Sequence, residues 1–147
     1  IACQGGNMGG WSLYVDQAGL ASFVYNWFGH EFTLLQDTSA LLPGSCKLEV
    51  IYRHGGDFGG GGEAVLQVNG QEVHQNVIPR TVPVIFSMSG ETFDVGVDTG
   101  SPVGHYPHTF SFNGEIQAVT LKRLTEPSEA VKKAERKGHF QASLSSQ

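Results

Sequence analysis

Ala64-Val-Leu-Gln-Val-Asn69-Gly70-Gln-Glu-Val73-His-Gln-Asn-Val77 decides the fold class. Leu66 and Val68 lead into Asn69-Gly70 and Val73 leads out, and both turn residues tolerate the positive φ of a type I′ turn, so the stretch reads as a β-hairpin. Outward from it, strand-length runs of β-branched and aromatic residues recur at 11–16, 20–27, 31–36, 47–54, 64–69, 72–77, 82–87, 92–98 and 109–123, separated by Gly, Pro, Asn and Asp. A second hairpin is expected at 16–19. Asn113-Gly114 marks a bulge or bend in the last run, where the step from Ile116 to Val119 breaks strict alternation. Nine short strands with no helix-length periodicity before residue 126 predict an all-β, antiparallel two-sheet architecture.

Alternation assigns the faces. Phe93, Val95 and Val97 share one side of their run, which should be buried; Asp94, Gly96 and Asp98 share the other, which should be solvated or functional. Trp11, Leu13 and Val15 similarly fall on one side, leaving Tyr14 with Ser12 and Asp16 as the candidate for a wet surface.

Glycine, at 20 of 147 residues, supplies the turns this pattern needs. With 39% hydrophobic residues and no long apolar run, the chain can fill one core but offers no membrane span. A net charge of −5 lacks the basic footprint of a nucleic-acid binder. Residues 1–122 hold 4 basic and 11 acidic residues, a charge of −7, whereas 123–147 carry +2. The chain therefore divides into a sandwich over 1–123 and a basic tail over 124–147. Thr125, Pro127, the cluster Lys132 to Lys137 and Gly138 predict one helix over 127–137, with 139–147 disordered. Starting at Ile1 without a basic or apolar leader, the chain reads as a piece of a longer polypeptide. Cys3 and Cys46 form no metal knuckle and no C-x-x-C pair; either they staple neighbouring strands as a disulfide or they are two buried free thiols.

Little in the sequence points to catalysis. His54-Gly-Gly-Asp57-Phe-Gly-Gly-Gly-Gly62 is neither a Walker loop nor a dinucleotide fingerprint, since a strand follows it; it is a connection between strands or the rim of a binding face. None of the six histidines shows the i, i+4 pairing of zinc hydrolases. A calcium site can be drawn from Asp94, Asp98 and Asp57, but on a straight strand at ~3.3 Å per residue the first two stand about 13 Å apart, too far to share an ion. No Gly-x-Ser-x-Gly elbow is present. Glu49, Glu63, Glu72 and Glu115 read as outward-facing strand residues rather than a glycosidase pair. Trp11, Tyr14, Tyr25, Trp27, Tyr52 and Tyr106 combine apolar rings with polar tips, the chemistry that stacks on sugars, although core packing accounts for most of them.

Three segments carry a resemblance: Gln4-Gly-Gly-Asn-Met-Gly-Gly-Trp-Ser-Leu-Tyr-Val15, Phe23-Val-Tyr-Asn26, and Phe93-Asp-Val-Gly-Val-Asp-Thr-Gly-Ser-Pro-Val103. In this order they resemble the β-sandwich that lies C-terminal to the catalytic region in many bacterial arylsulfatases. Phe112-x-Gly114-x-Ile116-x-x-Val119-x-Leu121 is similar to the closing strand of concanavalin A-like jelly rolls. The resemblance implies a jelly roll of about residues 1–122 that docks on a sulfatase catalytic domain of the same polypeptide, in a periplasmic or secreted location. The family's formylglycine motif, Cys/Ser-x-Pro-x-Arg, is absent, so no catalytic residue is expected in this chain and no cofactor is implied. The alternative is a free-standing glycan-binding module in which Tyr14, Tyr52, His54, Asp57, His105, Tyr106 and His108 line a concave sheet or its rim. A small glycosidase on the same frame would require two carboxylates facing one groove.

Overall fold

The computed structural model describes residues 1–83, 93–107 and 111–123. Most of the strand expected at 82–87, the helix at 127–137, the tail at 139–147 and His108 lie outside the described residues. Those described form eight strands and no helix: β1 (Ala2–Gly6), β2 (Gly9–Val15), β3 (Leu20–Trp27), β4 (Glu31–Ala40), β5 (Leu48–His54), β6 (Gly60–Val68), β7 (Gln71–Arg80) and β8 (Phe93–Val95). They make two antiparallel sheets, one of five strands in the order β4-β3-β2-β1-β8 and one of three in the order β5-β6-β7.

The hairpin at Asn69-Gly70 joins β6 to β7, and both residues adopt positive φ, 52° and 80°. The hairpin at 16–19 joins β2 to β3, closed by Asp16, whose Oδ1 accepts the amides of Ala18 and Leu20 at 2.9 Å each.

Odd-numbered residues of β2 and β3 turn toward the three-stranded sheet. Ala21, Phe23, Tyr25 and Leu35 meet Ala64, Leu66 and Ile78 in the inter-sheet core, with Trp11 and Leu13 packed against them. Two side chains of β7 fasten the sheets along one side by bonding the backbone of β4. Asn76 Nδ2 donates to Leu34 O at 3.2 Å, and His74 Nδ1 lies 2.9 Å from Gln36 O. Arg80 completes this seam by pairing with Glu31 at 3.0 Å while its guanidinium lies 4.1 Å above the Trp27 ring. Edge strand β4 thus presents backbone groups that are already engaged.

Several expectations are corrected. β1 is a strand that glycine at Gly5, Gly6, Gly9 and Gly10 conceals in the sequence. The run expected at 109–123 forms no strand among the described residues 111–123; a single bridge, Val97 to Ser111, is its only pairing there. Residues 55–59 of the glycine stretch connect β5 to β6 as expected, but the stretch does not all lie in that connection. Gly60–Gly62 belong to β6, where a Cβ at Gly61 would collide with the backbone of Ile78 and Pro79, and one at Gly62 with that of Arg53. Those glycines admit neighbouring strands rather than a ligand. Cys3 and Cys46 are unbonded, and only Cys3 is buried.

Candidate functional site

β8 lies beside β1 with Asp94 opposite Cys3, so the two side chains share the face of the large sheet that points away from the sandwich core. One residue beyond β8, Gly96 takes φ +84° and ends the strand. Its N–H donates to Ile1 O at 2.8 Å and its carbonyl accepts from Phe112 N at 2.7 Å. The chain then folds back over the outer face, and Asp98 arrives beside Asp94 instead of four residues further along a straight strand. Ligand atoms of Cys3, Asp94 and Asp98 all come within 4.8 Å of one another. The 13 Å separation drawn from an uninterrupted strand fails because of the turn at Gly96.

Asp98 is only 7% exposed, whereas Phe93 and Val95 are 36% and 47% exposed. The burial expected for this run is therefore inverted: the aspartate side goes inward beneath the returning loop, and the apolar side stays open. By register, Phe93 and Val95 lie on the core-facing side of the large sheet, opposite Gln4 and Ala2.

Residues 97–107 close the outer face. Val103 is fully buried against Cys3 and Val24, with Tyr14, Phe32 and Tyr106 around them. Buried Asn26 holds the loop from below: its Nδ2 donates to Val103 O at 3.0 Å and to Gly6 O and Asn7 O at 3.1 Å each. Its Oδ1 accepts Gly29 N at 2.7 Å. From the loop itself, Tyr106 donates its hydroxyl to Asp98 Oδ2 at 2.7 Å, and Thr99 donates N–H and hydroxyl to Asp94 Oδ2 at 2.8 and 2.6 Å. A cavity of about 10 Å³, enough for one water or one small ion, remains between Cys3, Ser12, Tyr14, Asp98 and Tyr106.

The electrostatics follow from burial and from the two carboxylates. Burial pushes the Cys3 thiol up to about 12, reinforced by Asp98 and Asp94, so it is protonated at neutral pH and no nucleophile. Tyr106 is raised as well, first by burial and then by its bond to Asp98. Hydrogen bonds from Thr99 hold the Asp94 carboxyl below its ordinary value.

The six described candidate ligand residues, all but His108, do not form one groove. Tyr14, His105 and Tyr106 lie on the outer face: the Tyr14 and Tyr106 rings are 5.0 Å apart, and His105 rests on Phe32 at 4.3 Å. Tyr14, expected to be wet, is half-buried under the loop. Tyr52 and His54 belong to β5, in the other sheet. The Tyr52 ring packs on the inter-sheet core, and its buried hydroxyl has no hydrogen-bond partner among the described residues. His54 is exposed and accepts Gly56 N at 2.9 Å, and Asp57 is exposed in a tight turn closed by Gly60 N. Of the carboxylates considered for glycoside hydrolysis, Glu49 and Glu63 pair with Lys47 and Arg53, and Glu72 and Glu115 are exposed.

Sequence reasoning overlooked Cys3 and Asn26 as parts of a site. The available signal was Gly96 within Asp94-Val-Gly-Val-Asp98, since glycine inside a strand pattern announces a bend. Comparison of the chain with protein-family models, curated proteins and solved structures finds no match.

Proposed function

We propose that residues 1–123 are a noncatalytic accessory sandwich, a concanavalin A-like jelly roll, of an arylsulfatase-like sulfuric ester hydrolase. It docks on a catalytic domain of the same polypeptide, in the periplasm or outside the cell, and braces it or shapes access of substrate. The supporting observation is the mismatch between the sheets. Five strands face three, and at ~4.8 Å per strand the larger sheet overhangs by about 10 Å. At the overhanging edge, Phe93 and Val95 present apolar side chains to solvent on the core-facing side. Covering them would stabilise a contact by about 1 kcal/mol each, given their partial exposure. With Leu34 and Gln36 of edge strand β4 engaged by β7 and the outer face covered by loop 97–107, this strip is a surface of the large sheet suited to a neighbouring domain.

The test is sedimentation velocity of the chain mixed with a separately expressed arylsulfatase catalytic domain, with aryl-sulfate turnover followed in parallel. A complex that Phe93→Asp abolishes is the expected result. Absence of a complex at high micromolar concentration, together with saturable chemical shifts at Tyr14 or Tyr52 on adding oligosaccharide, would favour the glycan-binding alternative. That alternative is weakened by the division of its six described residues between separate surfaces.

A further inference from the structure

We infer that Cys3 Sγ and the carboxylates of Asp94 and Asp98 form a binding site for one thiophilic divalent cation of the zinc class, which clamps loop 97–107 onto β1. The inference does not rest on the sulfatase reading. It stands on three features of the cluster.

The first is charge. Asp98 is more than nine-tenths buried with a second carboxylate beside it, yet the three ion pairs among the described residues, Lys47–Glu49, Arg53–Glu63 and Arg80–Glu31, all lie elsewhere. A buried carboxylate facing a second, half-exposed one that hydrogen bonds keep ionised makes a place where a cation is favoured by both charges. The second is space. A cavity of about 10 Å³, the size of one water or one small ion, is lined by Cys3 and Asp98 but not by Asp94, whose ligand oxygen lies within 4.8 Å of theirs.

The third is the way the carboxylates are held. Each is fixed through Oδ2, Asp94 by Thr99 and Asp98 by Tyr106. Apart from the Cys3 thiol, no described group donates to either Oδ1. Oriented oxygens with one side left open are how outer hydrogen bonds prepare carboxylate ligands. Tetrahedral zinc, with bonds of about 2.0 Å to oxygen and 2.3 Å to sulfur, sets ligand atoms about 3.5 Å apart. From separations within 4.8 Å the three side chains close by roughly 1 Å, and water or the Tyr106 hydroxyl supplies a fourth position. The sulfur decides the class of ion. Calcium takes about 6–8 oxygen ligands, more than this cluster offers, whereas thiolate with carboxylate suits zinc or cobalt. Binding displaces the thiol proton to solvent and forms the metal–sulfur bond, with no change of oxidation state.

The experiment uses the 147-residue chain carrying Cys46→Ala, so that the exposed thiol cannot contribute. Metal-free protein is titrated with Co²⁺ and Zn²⁺ under reducing conditions and, in a separate arm, with Ca²⁺. One equivalent of Co²⁺ with a thiolate-to-cobalt charge-transfer band, displaced by Zn²⁺, is expected, together with a higher melting temperature. Cys3→Ala should abolish the band, and Tyr106→Phe should weaken binding by roughly 10–100-fold while leaving the band in place at saturation. Asp94→Asn is the variant least able to disturb folding, because its carboxyl is half-exposed, and it should weaken binding at least tenfold. A folded chain that takes up no stoichiometric Zn²⁺ at 100-fold excess over micromolar protein, or binding undiminished in both Cys3→Ala and Asp94→Asn, overturns the inference. A response to Ca²⁺ equal to that to Zn²⁺ overturns the assignment of ion class.

Discussion

Asn26→Asp is nearly isosteric, and the structure makes it one of the most damaging single changes available. The Asn26 amide nitrogen has two hydrogens and faces three carbonyl oxygens, those of Gly6, Asn7 and Val103, at 3.0–3.1 Å. The substitution would place a carboxylate oxygen against all three. No donor would remain, and a fully buried side chain would acquire an unpaired charge. Unsatisfied buried groups cost about 1–3 kcal/mol each, and breaking a buried charged network about 3–5, so a loss of roughly 4 kcal/mol at pH 7 is expected. The pH dependence has a definite sign. Burial opposite carbonyls raises the folded-state pKa of the new carboxyl above its unfolded value near 4, so the charge part of the penalty is absent below about pH 4 and grows as pH rises through the folded pKa, while the cost of the lost donor remains at every pH. Urea unfolding followed by tryptophan fluorescence at pH 7 and pH 4.5 measures both, with wild type compared at each pH. A loss below about 1 kcal/mol at pH 7, or an equal loss at the two pH values, would refute the role of Asn26 as the tie between the β1–β2 turn, the β3–β4 turn and loop 97–107.

Tyr52→Phe should leave stability unchanged or raise it by up to about 1 kcal/mol in urea unfolding, because it removes a buried hydroxyl without a described partner. Tyr106→Phe should lower stability by about 1–3 kcal/mol in the same assay, since it strips a hydrogen bond from buried Asp98. All four tyrosines, Tyr14, Tyr25, Tyr52 and Tyr106, have pKa values raised first by burial, Tyr52 to about 12. The unfolded chain therefore loses tyrosine protons at lower pH than the folded one. Stability is retained below about pH 10 and falls as pH rises above it, which absorbance at 295 nm should report as ionisation coincident with unfolding. Gly96→Ala should cost about 1–2 kcal/mol from backbone strain alone, because the new Cβ meets only Ile116 Cδ1 at 3.9 Å. A larger loss would mean that the turn tolerates no adjustment at all.

How far the sequence could be read depended on how local the determining interaction was. The Asn69-Gly70 hairpin and its flanking strands are specified by two turn residues and their neighbours, and they formed as expected. β1 was hidden because glycine carries little strand propensity. Its pairing with β8 joins residues more than 85 positions apart, so no local pattern announces it. The same distance concealed the thiol–carboxylate cluster: Cys3 reads as a lone thiol, and Asp94 and Asp98 as surface charges, until Gly96 is recognised as a bend. The aromatic candidates failed for a related reason. Alternation correctly put Tyr14 on the opposite face from Trp11, but it cannot say what covers that face, and a loop some 90 residues away does. In the same way, the strip Phe93/Val95 was assigned to the buried side because both sheets were tacitly given equal width.

The proposed cation site and the proposed docking strip lie back to back on one short strand. Asp94 turns to the outer face, where Thr99 and the Cys3–Asp98 cluster hold it, and Phe93 and Val95 turn to the open inner side. A three-residue edge strand has few ladder bonds with which to resist fraying, so its position depends heavily on what grips its outward side chain. Whatever tightens the outer cluster therefore also fixes the apolar strip, and ordering that strip beforehand lowers the entropic cost of docking against it. Cation binding on the outer face and domain docking on the inner face would then be coupled through β8 with positive sign: each strengthens the other, by reciprocity of linkage. The coupling is measurable as a tighter complex between the chain and a catalytic domain in Zn²⁺ than in chelator, and Asp94→Asn should remove the difference while leaving the apolar surface itself unchanged.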